Sequence, residues 1–322
     1  MSIAAMSRDA TLSHSALRQG PAEWALLCTL VVLWGSSFML VRVSLEAFTP
    51  LAVTAGRLLI GAGVLALVLA ALRRRVSRQP RHWLFFLAMA LLGNVAPFFL
   101  IAWGQMAIPS GLTGILMAVM PLAVLLMAHF LVAGERLTRR RLAGFALGFL
   151  GVVVLTGPDA RAVLVGREAS FISQLAVLGA ALCYGVAAIV ARRGPVLHPV
   201  VVAAPVLAIA GILAGTLLLA AGVGGESGAV AMHGPVERWP AAAMLALGAL
   251  STGLATVVYF TLIARAGPTF LSLINYLIPV WAVVLGAVAL DERLPPRAFV
   301  ALALILAGVV LARWQSGRRA GP

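Results

Sequence analysis

The chain has 322 residues, of which 62% are hydrophobic and only 11% charged, and its mean hydropathy is +1.05. These values lie far outside the range of soluble globular domains, so the lipid bilayer is the relevant solvent. The formal net charge of +14 comes entirely from arginine, because the sequence contains no lysine. The arginines stand in short loops between apolar stretches, a pattern that indicates membrane topology and excludes a broad nucleic-acid-binding face.

The apolar stretches predict ten membrane-spanning helices, since each has about the length needed to cross a hydrocarbon core of roughly 30 Å. They cover residues 23–44, 50–71, 83–104, 109–132, 141–157, 172–191, 199–222, 240–262, 268–290 and 297–314. The fifth and tenth spans are the shortest, and they need flanking arginines that extend toward the headgroups. Residues 1–21 lack the apolar centre of a cleavable signal peptide, so we expect the first span to direct insertion.

Loop arginines also predict the orientation, because positively charged short loops stay in the cytoplasm. With the amino terminus inside, seventeen arginines fall on the cytoplasmic side and six on the other side. We therefore expect an inner (plasma) membrane protein with both termini in the cytoplasm.

An internal repeat relates the two halves of the chain. Residues 108–155 align with residues 267–311, pairing Pro109 with Pro268 and Pro121 with Pro279, and both segments contain Glu-Arg-Leu, at 135–137 and 292–294. A fainter echo pairs Trp34-Gly35 with Tyr184-Gly185. The alignment offsets are 157 to 159 residues, which favours duplication over chance similarity between apolar helices.

The repeat predicts the domain organisation of an all-α integral membrane protein. We expect a cytoplasmic tail over 1–21, a first five-helix repeat over 22–157, an external loop over 158–171, a second five-helix repeat over 172–314 and a cytoplasmic tail over 315–322. Because five is an odd number, the two repeats cross the membrane in opposite senses. This inverted repeat is the arrangement that alternating-access carriers use.

Three spans carry polar residues on one helical face, as a water-filled cavity at mid-membrane depth requires. The candidates for the cavity wall are Thr113 and Met117 in the fourth span, Thr252, Thr256 and Tyr259 in the eighth, and Ser272, Asn275 and Tyr276 in the ninth. Ordinary packing of small polar residues between membrane helices is the alternative. Pro121 and Pro279 lie near the middle of their spans, where each predicts either a hinge or a static kink.

Arg57 is the only full charge well inside a span. A desolvated guanidinium needs an anionic or carbonyl partner, so Arg57 binds either a substrate carboxylate or phosphate, or a structural partner such as backbone carbonyls or Glu46. Trp34 and Tyr184 lie at mid-depth, where they either stack on a substrate from opposite sides or pack in the core. Asn94, at the centre of the third span, is a further polar candidate.

Missing residue types also restrict the function. No Asp or Glu lies in the middle of a predicted span, which disfavours proton-coupled export of organic cations. The sequence has neither a cluster with metal-ligand spacing nor a plausible nucleophile set, so no enzyme activity, metal or cofactor is predicted. A membrane-embedded hydrolase or lipid transferase and a non-transporting scaffold are the alternatives from other classes.

The chain resembles the drug/metabolite transporter superfamily, specifically proteins built from two EamA-type domains, over about residues 22–315. The resemblance rests on Trp34-Gly35-Ser36-Ser37, Arg57, the proline-centred fourth and ninth spans and the two Glu-Arg-Leu turns. It implies a permease whose pathway includes Ser37. Similar proteins export amino acids and other metabolites, and more distant ones carry sugar phosphates or nucleotide sugars.

We therefore expect an exporter of small metabolites, with amino acids and related carboxylates first, that works by alternating access. Exchange of other organic anions, sugar phosphates or nucleotide sugars is the alternative. The expected partners are a small-molecule substrate and the lipid bilayer, without nucleic acid, and the sequence leaves open whether the carrier is a homodimer.

Overall fold

A computed structural model describes residues 20–132, 138–162, 169–223 and 238–313, with only the backbone at 158–162 and 223. The predicted turn at Glu135 lies outside these residues, as do most of both predicted tails and part of the external loop. Throughout the described ranges the regular structure is helical, as the composition predicts.

Ten membrane helices are present in the described ranges, which confirms the predicted count. They are α1 (Pro21–Ser44), α2 (Pro50–Ala71), α3 (Pro80–Gly104), α4 (Ser110–Leu131), α5 (Arg139–Ala162), α6 (Ala169–Ala191), α7 (Pro199–Val223), α8 (238–266), α9 (268–290) and α10 (Pro296–Arg313). Six of them begin at a proline, whose fixed φ and missing N–H group suit the first helical turn. The shorter predicted spans, the fifth and tenth, are both helical over 18 residues or more.

Gly267 separates α8 from α9. Its backbone, at φ 79° and ψ 169°, is not helical and lies in a region that favours glycine. Further along, α9 is interrupted again at Ser272 and Leu273 before the segment Ile274–Leu290. The Ser272 hydroxyl donates to Thr269 O at 2.7 Å, and Asn275 Nδ2 donates to Ser272 O at 3.0 Å, so side chains satisfy the carbonyls that the break leaves open.

The two prolines proposed as hinges differ in their settings. In α4 the helix is interrupted at Ala118 and Val119, and Pro121 lies in the first turn of the second half, Met120–Leu131. Pro279, in contrast, lies inside the segment Ile274–Leu290, several residues beyond the break in α9. Only Pro121 therefore coincides with an interruption, and a hinge role for either proline stays a prediction.

Both repeats contain a π-helical segment in their third helix. The segments are Leu91–Val95 in α3 and Leu247–Leu254 in α8. In each, a polar side chain donates to the carbonyl five residues earlier: Asn94 Nδ2 to Met89 O at 3.0 Å, and Thr252 Oγ1 to Leu247 O at 2.9 Å. Asn94 and Thr252 are 158 residues apart, which matches the sequence offset of the repeat. π-Helical turns of this kind occur frequently at functional sites.

The helices pack mainly across the boundary between the repeats. The main cross-repeat neighbours are α1 with α8 and α9, α2 with α7 and α8, α3 with α6 and α7, α4 with α6 and α9, and α5 with α10. Exchanging the two repeats turns each of these pairs either into itself or into another pair of the set. The pattern is that of two five-helix repeats related by a pseudo-twofold axis, as the sequence predicts.

Glycines at matching positions permit this close packing. A Cβ at Gly35 in α1 would lie 2.5 Å from the Trp281 indole of α9, and a Cβ at Gly185 in α6 would lie 3.2 Å from the Ala123 carbonyl of α4. Trp281 and Ala123 are again 158 residues apart. The faint echo between Trp34-Gly35 and Tyr184-Gly185 therefore reflects a repeated contact in three dimensions.

Candidate functional site

Arg57 lies in α2 and is only 5% exposed. Its Nε and Nη2 groups both donate to Thr252 Oγ1 of α8, each at 3.3 Å. Within the described part of the chain no carboxylate contacts the guanidinium. Pairing with Glu46 or with backbone carbonyls, the structural alternatives considered above, is therefore wrong: Glu46 is exposed at the end of the bundle, and a hydroxyl of the other repeat is the hydrogen-bond partner.

Two aromatic side chains complete the surroundings of Arg57. The guanidinium carbon lies 3.6 Å from the centroid of the Phe98 ring of α3, a close cation–π contact. Tyr184 of α6 lies near the same guanidinium. The charge is thus held by α2 and α3 of the first repeat and by α6 and α8 of the second.

Small residues bring α2 and α8 close enough for the Arg57–Thr252 contact. A Cβ at Gly61 would lie 2.8 Å from Thr252 Cγ2, and a Cβ at Gly248 would lie 2.5 Å from Ile60 Cβ. The π-helical segment of α8 also widens the turn that presents Thr252, whose hydroxyl accepts from Arg57 while it donates to Leu247 O. The Thr252 hydroxyl is therefore oriented by the hydrogen bond that it donates to Leu247 O and by the two that it accepts from Arg57.

Trp34 and Tyr184 pack in different apolar clusters. The Trp34 ring is 5.4 Å from the ring of Tyr259 at an angle of 37°, in an apolar cluster of α1, α8 and α9. Tyr184 lies in a separate cluster with Phe38 and Met117. Both rings therefore pack in the core, and stacking of the two rings on a substrate from opposite sides stays a prediction.

The remaining candidates on α1, α4 and α8 are satisfied locally. The Ser37, Thr113 and Thr256 hydroxyls donate to Trp34 O, Pro109 O and Thr252 O, at 2.6, 3.1 and 2.6 Å. Thr113 is fully buried, as expected for a packing residue. Thr256 is one turn from Thr252 and extends the polar side of α8 toward Tyr259.

The polar face of α9 lies at the break of that helix and away from Arg57. Ser272 and Asn275 are half-buried and hydrogen-bond to carbonyls of the break, as described above. Tyr276 packs with Leu122 and Val309, and the guanidinium of Arg313 lies 6.0 Å from its ring. A substrate-binding role for these residues stays a prediction, as it does for the others.

Two contacting residues, Phe98 and Trp281, were missed by the sequence reasoning. Phe98, which covers the guanidinium, is one helical turn after Asn94, and this spacing is the one sequence signal that could have revealed it. Trp281 fills the space above Gly35 and donates through Nε1 to the Ser36 hydroxyl at 3.0 Å. Glu292, in the second Glu-Arg-Leu turn, caps the start of α4 in the opposite repeat.

Comparison with known proteins agrees with this architecture. The EamA-like transporter family matches residues 23–157 and 171–314. A crystal structure that is 24% identical superposes with a TM-score of 0.62 and covers 91% of this chain and 97% of its own, which shows the fold.

Several similar proteins match over nearly their whole length. "Probable terminal-alkyne amino-acid exporter" of Streptantibioticus cattleyicolor is 32% identical over 311 residues, or 94% of this chain and 97% of that protein. "Uncharacterized transporter YoaV" of Bacillus subtilis is 24% identical, with 91% and 97% covered, and "Probable amino-acid metabolite efflux pump" of Escherichia coli is 24% identical, with 93% and 98% covered. The chain is a multi-pass membrane protein and belongs to the EamA-like transporter family.

Proposed function

We propose that this transporter exports small metabolites that bear a carboxylate, amino acids first, and that Arg57 binds the carboxylate. The observation that carries the proposal is a buried guanidinium, between the two repeats, whose partners among the described residues are uncharged. A full charge at this depth is costly unless an anion or water compensates it. A substrate carboxylate supplies that compensation each time the site is occupied.

The surroundings of Arg57 suit a reversible site. The Phe98 ring and the Thr252 hydroxyl orient the guanidinium but leave its charge unneutralised, so a bound carboxylate gains the charge-assisted hydrogen bonds. A permanent protein carboxylate at the same place would compete with the substrate. The site is formed by α2 and α3 of the first repeat and by α6 and α8 of the second. A movement of one repeat relative to the other therefore changes access to the site while each repeat stays folded.

Export by alternating access is supported by the inverted repeat and by the relatives whose printed names are exporter and efflux pump. We place the protein in the cell inner membrane with both termini in the cytoplasm, following the arginine distribution. Exchange of other organic anions, among them sugar phosphates and nucleotide sugars, is the second candidate, because a guanidinium also binds phosphate.

Flux into proteoliposomes tests the proposal, with a panel of amino acids, organic acids and phosphate esters, each with and without a pH gradient. We expect saturable flux of carboxylates, and Arg57→Ala to abolish most of it while the protein still inserts. Arg74→Ala removes the same charge from an exposed loop and serves as the matched control. Wild-type flux in Arg57→Ala would remove Arg57 from the site, and flux of phosphate esters alone would favour the second candidate.

A further inference from the structure

Glu292 joins the two repeats at one end of the bundle. Glu292 lies two residues after the end of α9, and its side chain reaches the first turn of α4. There, Ser110 N donates to Glu292 Oε1 at 2.7 Å and Gly111 N donates to Glu292 Oε2 at 2.9 Å. The partners are 182 and 181 residues apart in the sequence. Both are charge-assisted hydrogen bonds to backbone groups that the start of a helix leaves without partners.

The local backbone is shaped for this contact. Asp291 adopts a left-handed conformation, φ 49° and ψ 33°, which ends α9 and folds the chain back so that Glu292 N donates to Gly286 O at 3.1 Å. Gly286 makes room for the carboxylate, because a Cβ there would overlap Glu292 Oε2. Pro109, which precedes α4, has no side-chain group that could cap the helix in its place.

The contact lies between a surface cavity and the Arg57 site. Above it is a cavity of about 390 Å³ lined by residues that include Arg42, Glu46, Pro109 and Glu292 itself. Below it, Gly114 of α4 packs against Ala282 of α9. This packing leads into the apolar cluster of Phe38, Ala282, Met117 and Tyr184. Tyr184 of this cluster lies near Arg57.

We infer that Glu292 is a releasable clasp that closes this end of the transporter between α4 and α9. The inference rests on the proposed function, since a gate has meaning only in a protein that moves a substrate. Opening this end separates the start of α4 from the end of α9, and the two backbone bonds to Glu292 break. In the open state water solvates the carboxylate and the freed N–H groups, so release requires no new protein partner.

Two substitutions loosen the clasp by different means, and one leaves it intact. Glu292→Gln removes the charge and replaces one acceptor oxygen with an NH₂ group, which cannot accept from a backbone N–H. Gly286→Ala keeps the carboxylate but displaces it. Asp291→Asn removes the same charge from the adjacent residue, and asparagine tolerates the left-handed backbone, so it is the matched control.

Reaction of a single cysteine with a membrane-impermeant thiol reagent reports opening without any substrate. The two native cysteines, Cys28 and Cys183, are first replaced by alanine. Met117→Cys then places the probe beneath the clasp, and Ala107→Cys, which is exposed in the surface cavity, shows from which membrane face this end is reached. Labelling is measured in intact cells and in inverted vesicles.

We expect Glu292→Gln and Gly286→Ala each to raise the labelling rate of Met117→Cys by about tenfold or more, the change that corresponds to 1.4 kcal/mol of lost closing free energy. The increase should occur only from the face that labels Ala107→Cys, and Asp291→Asn should leave the rate unchanged. If Glu292→Gln fails to reach the membrane, the labelling rates of Gly286→Ala and Asp291→Asn test the inference without it.

Unchanged rates in the two loosening variants, or an equal increase in Asp291→Asn, would overturn the inference. The result is independent of the substrate. Wild-type flux in Arg57→Ala would contradict the proposed carboxylate site but not the Glu292 clasp. Unchanged labelling in the loosening variants would contradict the clasp but not the carboxylate site.

Discussion

Replacing Thr252 with valine tests how Arg57 is held. Valine keeps the branched shape that packs on Gly61 but removes the oxygen that accepts from Nε and Nη2 of Arg57 at 3.3 Å. Both bonds are slightly longer than the usual N–H···O range, so we expect the two together to contribute about 1.4–2.8 kcal/mol, as much as one good hydrogen bond to a charged group. If this energy positions the guanidinium for the substrate, half-saturation should rise by about 10- to 100-fold.

The assay is concentration-dependent flux of a carboxylate substrate into proteoliposomes, normalised to inserted protein. Thr252→Ser is the control, because it keeps the hydroxyl and loses only a methyl group, and it should retain half-saturation near the wild-type value. Half-saturation of Thr252→Val within twofold of wild type would refute the reasoning. Equal impairment of the serine variant would show that packing on Gly61 matters and the hydroxyl does not.

Three further predictions address other contacts. Phe98→Leu removes the ring that lies 3.6 Å from the guanidinium carbon, so the half-saturating substrate concentration in flux titrations should rise by about tenfold. The control Phe99→Leu should leave this concentration unchanged. Gly308→Ala places a Cβ 2.5 Å from Gly144 O and should lower the free energy of unfolding in detergent by about 1–3 kcal/mol. Gly63→Ala, which has open space around it, should not. Equal melting temperatures of the two variants would contradict this packing account. Asn275→Ala removes a hydrogen bond at the break of α9 and should reduce flux about fivefold without loss of insertion, and undiminished flux would exclude Asn275 from the pathway.

The fold was largely predictable because the bilayer imposes strong rules on the sequence. Apolar length predicts the ten spans, and the recurring proline and Glu-Arg-Leu positions predict the repeat. Irregular segments were not predictable to the same degree. The π-helical turns at Asn94 and Thr252 follow from side chains that bind a carbonyl five residues earlier, and no composition signal distinguishes them from regular helix. Likewise, Pro279 looks equivalent to Pro121, yet Pro121 lies in the first turn after the break of α4, whereas Pro279 lies several residues beyond the break of α9.

The site was predictable as single residues and not as contacts. Arg57 and Thr252 each stand out, one as a charge within a span and the other on a polar helical face, but their pairing spans 195 residues of sequence. Trp34 and Tyr184 were linked through the repeat, and the pseudo-twofold axis instead places them in different clusters, since symmetry-related residues need not touch. Phe98 differs from most apolar residues of α3 only in lying one helical turn after Asn94, and this spacing does not predict its contact with Arg57.

The central claim is that a substrate carboxylate binds Arg57, and a comparison of two ligands in two proteins tests it most directly. Counterflow would be measured for a transported amino acid and for its carboxamide, in wild type and in Arg57→Gln. The account predicts that wild type prefers the carboxylate by about 30-fold or more, as expected for about 2 kcal/mol from a buried charge pair, and that the preference nearly disappears in Arg57→Gln. An equal preference in both proteins would contradict it.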